Sequence, residues 1–98
     1  MDMDPKNPMT FLVNGVRVTM TRVEWSPTPH ALLVLIDREG ERVLELLDQI
    51  QTVFDCGIRE TKTGPYEFRF IGGLEFDVVD TMRAGGIGVK QIDVNKKS

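Results

Sequence analysis

The chain has 98 residues, of which 41% are hydrophobic and 28% are charged, and its formal net charge at pH 7 is −3. These values are ordinary for one globular domain and exclude a fibrous or wholly disordered chain. The acidic balance disfavours nucleic acid as a partner, because phosphate contacts need clustered Lys and Arg. The longest apolar run, Ala31 to Ile36, is too short to cross a membrane.

The two ends of the chain lack hydrophobic periodicity. Residues 1–9 contain two prolines and charged residues, which predicts a disordered lead-in, and residues 96–98 form a short tail. Between them we expect a single α+β domain over residues 10–95. The one cysteine, Cys56, cannot form an internal disulfide, and no charged and apolar leader opens the sequence, so we expect a cytoplasmic protein.

The first predicted unit is a β-hairpin over residues 10–25. Asn14-Gly15 supplies the positive φ angles that a type I′ turn requires, and it lies between two segments with alternating apolar residues. The alternation in the second segment changes phase, because Val23 and Trp25 continue it on odd-numbered positions. A β-bulge near Thr21-Arg22 would explain this change.

Residues 30–94 are predicted to follow the element order βαββαβ. The first strand, Ala31–Ile36, is apolar on both faces, which indicates a strand in the middle of a sheet that is covered on both sides. Apolar residues of the helix after it fall on one line, with polar residues opposite, as in an amphipathic helix. Those apolar residues are Val43, Leu47, Ile50 and Phe54. The remaining elements are a polar strand, an alternating strand, a second helix and a final strand, at residues 58–63, 66–71, 74–84 and 87–94.

This order predicts an α+β fold, a ferredoxin-like βαββαβ sandwich in which two helices pack on an antiparallel sheet, preceded by the N-terminal β-hairpin. In that topology the strands at 31–36 and 66–71 lie centrally, and those at 58–63 and 87–94 lie outside them. The aromatic residues of 66–71 are expected under the helices rather than on an RNA-binding surface. The sequence leaves open whether the hairpin packs on its own sheet or on that of a neighbouring chain.

The stretch from Leu32 to Gly40, followed by Val43-Leu44, resembles the opening of an ACT domain. In that family an apolar strand ends in Asp-Arg-Pro-Gly and enters the first helix, and here Glu39 stands at the proline position. Family members bind amino acids or other small effectors near this loop, commonly across a dimer of side-by-side sheets. The resemblance therefore implies a small-effector site at Asp37 and Gly40. Asp37 is also a candidate N-terminal cap for the helix.

Two residues with reactive side chains are predicted at the opposite end of the sheet. His30 and Cys56 form the one pairing in the chain that could supply a base and a nucleophile. No third group that would orient the histidine is identifiable, and two such ligands are too few for zinc. We therefore expect no cofactor, no metal and no enzyme activity, and keep a cysteine-dependent enzyme as the last alternative.

Two large apolar residues are candidates for a protein interface. Helical geometry places Phe76 opposite the inward-facing Leu74 and Val78, and Trp25 is the last residue of the predicted hairpin. Our first hypothesis is thus a small non-catalytic interaction or assembly module that forms a homodimer or binds another protein. The alternative is an ACT-like regulatory domain that binds a small effector at Asp37–Gly40.

Overall fold

A six-stranded sheet and two helices make up the part of the chain that the structure describes. The computed structural model describes residues 8–24, 28–55 and 57–92. Trp25 and Cys56 lie outside these residues. The elements in chain order are β1 Met9–Val13, β2 Val16–Val23, β3 His30–Leu35, α1 Glu41–Val53, β4 Arg59–Gly64, β5 Glu67–Ile71, α2 Glu75–Ala84 and β6 Val89–Ile92.

The strand order is β4-β5-β3-β2-β1-β6, and every neighbouring pair is antiparallel. The predicted α+β class, with two helices on an antiparallel sheet, is confirmed. The ferredoxin-like order is wrong, because that order would place β6 beside β3. The hairpin of β1 and β2 instead lies between them and pairs with both strands of the same chain. Six residue pairs join β2 to β3, so the apolar alternation of β2 extends the buried face of the sheet.

The turn of the hairpin forms as predicted, whereas the bulge does not. Asn14 and Gly15 have φ angles of 50° and 85°, as a type I′ turn requires. Beyond the turn, β2 pairs with β3 in an unbroken register through Arg22 and Val23. Arg22 keeps a helix-facing position because its Nε atom lies 3.3 Å from a carboxylate oxygen of Glu75 in α2. The apolar alternation therefore ends at an ion pair, with no change of phase in the strand.

Both helices pack on the same face of the sheet. Along β3, Ala31, Leu33 and Leu35 are buried, whereas Leu32 and Val34 on the other face are only partly buried. The prediction that this strand is covered on both sides is wrong. The reason is topological. Strands β3 and β5 run in opposite directions, and the connection from β3 to β4 crosses the sheet towards one edge whereas the connection from β5 to β6 crosses it towards the other edge. Right-handed crossovers then place α1 and α2 on one face.

The core fills the space between this sheet face and the two helices. Phe68 and Phe70 of β5 are buried under the helices, as expected, and the ring centroids of Phe54 and Phe70 are 4.5 Å apart. On α1 the centre of the buried face lies at Leu46 rather than at Leu47, which is partly buried. The fully enclosed side chains also include Val13, Val16, Val18, Met20, Leu33, Leu35, Ile50, Val78 and Met82.

Candidate functional site

One face of the sheet is left uncovered by the elements that the structure describes, and we name it the open sheet face. Alternation along each strand sends one set of side chains towards the helices and the next set to this face. Its apolar side chains are Leu12, Val23, Leu32, Val34, Ile36, Ile71 and Ile92, and its hydroxyl side chains include Thr10, Thr19 and Thr21. All are partly buried except Ile36, which is 41% exposed.

The strand register joins these side chains into a continuous patch. In one row Val34 of β3 lies between Glu67 of β5 and Thr19 of β2, and Thr19 lies beside Thr10 of β1, which pairs with Ile92 of β6. Strands spaced about 4.8 Å apart and about five residues long give a sheet of roughly 29 by 17 Å, or about 500 Å² in plan. The middle of this patch is apolar and hydroxyl-bearing.

Charged side chains on the open sheet face lie at its two sides and at one end of β2, where Arg17 is paired with Asp37. Arg59, Glu67 and Arg69 stand on the side of β4 and β5, and Lys90 stands on the side of β6. On the opposite side of the molecule, α1 and α2 each carry three acidic residues and one arginine. The open sheet face is therefore the more basic side of a protein whose net charge is −3.

His30 lies on the open sheet face, and both of its ring nitrogens have partners. Nδ1 lies 2.9 Å from the carbonyl oxygen of Thr28, and Nε2 lies 2.9 Å from a guanidinium nitrogen of Arg69. A carbonyl oxygen can only accept and a guanidinium can only donate, so Nδ1 carries the hydrogen and Nε2 accepts. His30 is thus a buried side chain that holds Arg69 against the sheet.

This environment bears on the predicted pairing of His30 with Cys56. Cys56 lies outside the described residues, so the pairing stays a prediction. The lone pair that a general base would use is the one that accepts the hydrogen bond from Arg69. In addition, α1, the helix that precedes Cys56, packs on the other face of the sheet from His30.

Asp37 is tied to the neighbouring strand instead of to a helix. Its Oδ2 atom accepts a hydrogen bond from the main-chain N–H of Arg17 at 2.8 Å, and its Oδ1 atom accepts from Nε and Nη2 of Arg17 at 3.1 and 2.8 Å. The side-chain hydrogen bond is the main reason why the pKa of Asp37 is lowered and that of Arg17 is raised. The expectation that Asp37 caps α1 is wrong, because Gly40 is the cap residue, with a φ of 113°.

The loop between β3 and α1 is fixed by a second set of contacts. The hydroxyl of Tyr66 donates to the carbonyl oxygen of Arg38 at 3.1 Å, and the Arg38 guanidinium lies 5.1 Å from the centroid of the Tyr66 ring. Together with the bonds from Arg17 to Asp37, these contacts engage the Asp37 carboxylate and the Arg38 carbonyl oxygen within the chain. The effector site implied by the resemblance to ACT domains stays a prediction, and no contact of this loop supports it.

Of the two predicted interface residues, Trp25 lies outside the described residues and Phe76 is 71% exposed on α2. Phe76 borders a groove of about 200 Å³ between α2 and the edge formed by β1 and β6. The groove lies on the helix side of the sheet. It is therefore separate from the open sheet face.

A larger, more polar cavity of about 350 Å³ lies where α1 ends and β4 begins, and sequence reasoning did not find it. It is lined by Gln51, Phe54, Asp55, Gly57, Arg59 and Glu60. One carboxylate oxygen of Glu60 is buried and has no hydrogen-bond partner among the described residues. Its neighbourhood includes the helix C-terminus, whose partial negative charge repels a carboxylate.

Among residues 8–24, 28–55 and 57–92, no group of three or more His, Cys, Asp and Glu side chains is placed to hold a metal ion. Within the same ranges, neither helix combines the length and apolar character needed to span a membrane. Comparison of the chain with family models, with curated proteins and with solved structures found no match.

Sequence reasoning missed the open sheet face because it treated β3 as covered on both sides. A signal for the uncovered face was present in the neighbouring strands. Thr19 and Thr21 alternate with the buried residues of β2, and Glu67 and Arg69 alternate with those of β5. Polar residues at every second position indicate a solvated face. Two such strands beside β3 place that face opposite the helices.

Proposed function

We propose that this protein is a small interaction module that pairs with a second copy of itself through the open sheet face. The observation that carries the proposal is the difference between the two faces of the sheet. One face is covered by two helices, whereas the other presents apolar and threonine side chains across five strands. A contiguous set of apolar side chains on a sheet face that no helix covers is a candidate interaction site. The fixed partners of His30 and Asp37 favour a binding role over a catalytic one.

The charge pattern favours a second copy as the occupant. When two sheets pack face to face about a twofold axis parallel to the strands, the β5 side of one copy lies over the β1 and β6 side of the other. Glu67 of each copy then lies over the row of Thr10 and Ile92 in the other, two residues along β6 from Lys90. Arg69 faces threonine and apolar side chains and not a second Arg69. The neutral middle, around Val34 and Thr19, packs against itself without unpaired charge.

The size of the face indicates a dimer of moderate affinity. A specific interface of standard size buries about 800 Å² per partner, and weaker associations bury less than about 600 Å². The open sheet face, at roughly 500 Å² in plan, falls near the lower of these values. We therefore expect a dimer that dissociates on dilution, with a dissociation constant in the micromolar range. The single cysteine is compatible with a cytoplasmic location, which we also propose.

Sedimentation velocity over a wide concentration series tests the proposal. The weight-average mass should rise from 11.1 kDa towards twice that value as concentration increases. Val34→Arg places a charge in the middle of the face and should leave a monomer, while its thermal melt stays close to that of the parent because Val34 is already partly solvated. The matched control is Leu44→Arg, at a position that is 67% exposed on α1, and this variant should still dimerise.

A parent protein that stays monomeric at the highest concentration would overturn self-association. Loss of dimer in both variants, or in neither, would overturn the assignment of the surface. Dimer loss in Val34→Arg alone supports it.

A further inference from the structure

The outer edge of β6 exposes main-chain groups in a defined pattern. The N–H of Asn14 donates to the carbonyl oxygen of Gly88 at 2.8 Å. In an antiparallel pair every second residue directs its N–H and C=O groups to the neighbouring strand, so Lys90 and Ile92 direct theirs towards β1. The intervening residues, Val89 and Gln91, direct theirs away from the sheet. No element that the structure describes pairs with that side of β6, which makes it a template for a further strand.

Part of this edge is already closed, and the open part lies beside the groove. A guanidinium nitrogen of Arg83 in α2 donates to the carbonyl oxygen of Val89 at 3.0 Å. The main-chain groups of Gln91 have no hydrogen-bond partner among the described residues. The side chain of Gln91 lines the groove that Phe76 borders. A strand added at Gln91 would therefore direct every second side chain into that groove.

The groove combines an apolar anchor with an acidic rim. Phe76, Asp80 and Arg83 are spaced i, i+4 and i+7, so they share one face of α2, and all three line the groove together with Val79. Arg83 is bound to the β6 edge, and the carboxylate of Glu75 is paired with Arg22. Asp80 forms no ion pair among the described residues, so its charge faces the groove.

We propose that this groove binds an extended segment of a partner polypeptide, which adds to β6 as a further strand. The segment carries an aliphatic side chain that packs against Phe76 and, two residues along, a Lys or Arg that pairs with Asp80. Main-chain hydrogen bonds at Gln91 supply affinity, and the two side chains on one face supply specificity. An acidic segment is disfavoured because α2 carries three acidic residues and one arginine. The groove lies on the helix side of the sheet, so it binds independently of the proposed dimer.

The test is a titration of the full ¹⁵N-labelled chain with two synthetic peptides, followed by heteronuclear NMR. The first peptide is acetyl-Thr-Val-Thr-Lys-Thr-Lys-amide, in which Val and Lys share one face of a strand, and the second replaces both Lys by Glu. The Lys peptide should shift the amide signals of Gln91, Phe76 and Asp80 in a saturable way. The Glu peptide should bind at least tenfold more weakly.

Variants separate the two parts of the groove. Phe76→Ser should weaken the Lys peptide roughly tenfold, since an exposed aromatic anchor is removed, while Leu44→Ser, a similar change on α1, should have no effect. Asp80→Lys should reverse the preference in favour of the Glu peptide. The three substituted positions are exposed, and a thermal melt of each variant checks that it is folded. Absence of saturable shifts, equal binding of both peptides, or shifts confined to the open sheet face would each overturn the proposal.

Discussion

Reversal of the charges at Glu67 and Lys90 tests the geometry of the proposed dimer. In face-to-face packing about an axis parallel to the strands, each dimer contains two equivalent pairs of Glu67 from one copy and Lys90 from the other. A solvated ion pair contributes about 0.2–1 kcal/mol. Glu67→Lys or Lys90→Glu replaces two attractions by two repulsions of similar size, so either single change should cost about 1–4 kcal/mol and weaken the dimer roughly 5- to 900-fold. The variant with both changes should regain most of the lost affinity.

Sedimentation equilibrium at low and high salt is the appropriate assay. At about 1 M salt the screening length falls to about 3 Å, so the differences among the four proteins should collapse if they arise from these exposed charges. Glu67 also accepts a hydrogen bond from Thr63 at 3.0 Å, and a melt of each variant checks that its loss leaves the fold intact. A double variant no tighter than the single ones refutes the proposed packing. If Val34→Arg still abolishes the dimer, the surface is right and the axis is wrong.

Three further predictions concern the fold. Leu46→Ala should cost about 2–5 kcal/mol in a denaturant melt because Leu46 is fully buried, whereas Leu44→Ala should change stability by less than about 0.5 kcal/mol. Gly15→Ala should lower stability by about 1–2 kcal/mol, since φ is 85° there, and a thermal melt that matches the parent would contradict the turn. Asp37→Asn should destabilise the protein near pH 7. Arg17 lowers the pKa of Asp37 in the folded state, so the stability difference between the parent and Asp37→Asn is fully present above the unfolded-state pKa of about 3.9. The difference should disappear as pH falls through the lower folded-state pKa. Thermal melts of both proteins across a pH series measure it.

The features predicted correctly from the sequence depend on local signals. The turn at Asn14-Gly15 follows from the need for two consecutive positive φ angles, which few residue pairs tolerate. The burial of one side of α1 follows from apolar spacing within a single helix. The edge position of β4 follows from polar residues on both of its faces. In each case the relevant information lies within one element.

The features that were predicted wrongly depend on contacts between distant residues. Arg22 occupies a helix-facing position because it meets Glu75, 53 residues later in the sequence, so the alternation of β2 by itself suggested a change of phase. The insertion of the hairpin between β3 and β6 depends on which strand edges pair, and single-strand patterns do not specify that choice. The open sheet face is spread over five strands, so it becomes visible only once their order is known.

The composition of the open sheet face suits a surface that must be exposed in the monomer and covered in the dimer. A patch made of Leu, Val and Ile alone would promote indiscriminate association. Here Thr10, Thr19 and Thr21 alternate in space with the apolar residues, and their hydroxyls stay hydrated when the protein is alone. Threonine also keeps the β-branched shape that packs well on a pleated sheet. Replacement of Thr19 and Thr21 by valine should therefore strengthen the dimer in sedimentation experiments. It should also lower the protein concentration at which higher aggregates form. Tighter association without added aggregation would contradict this account.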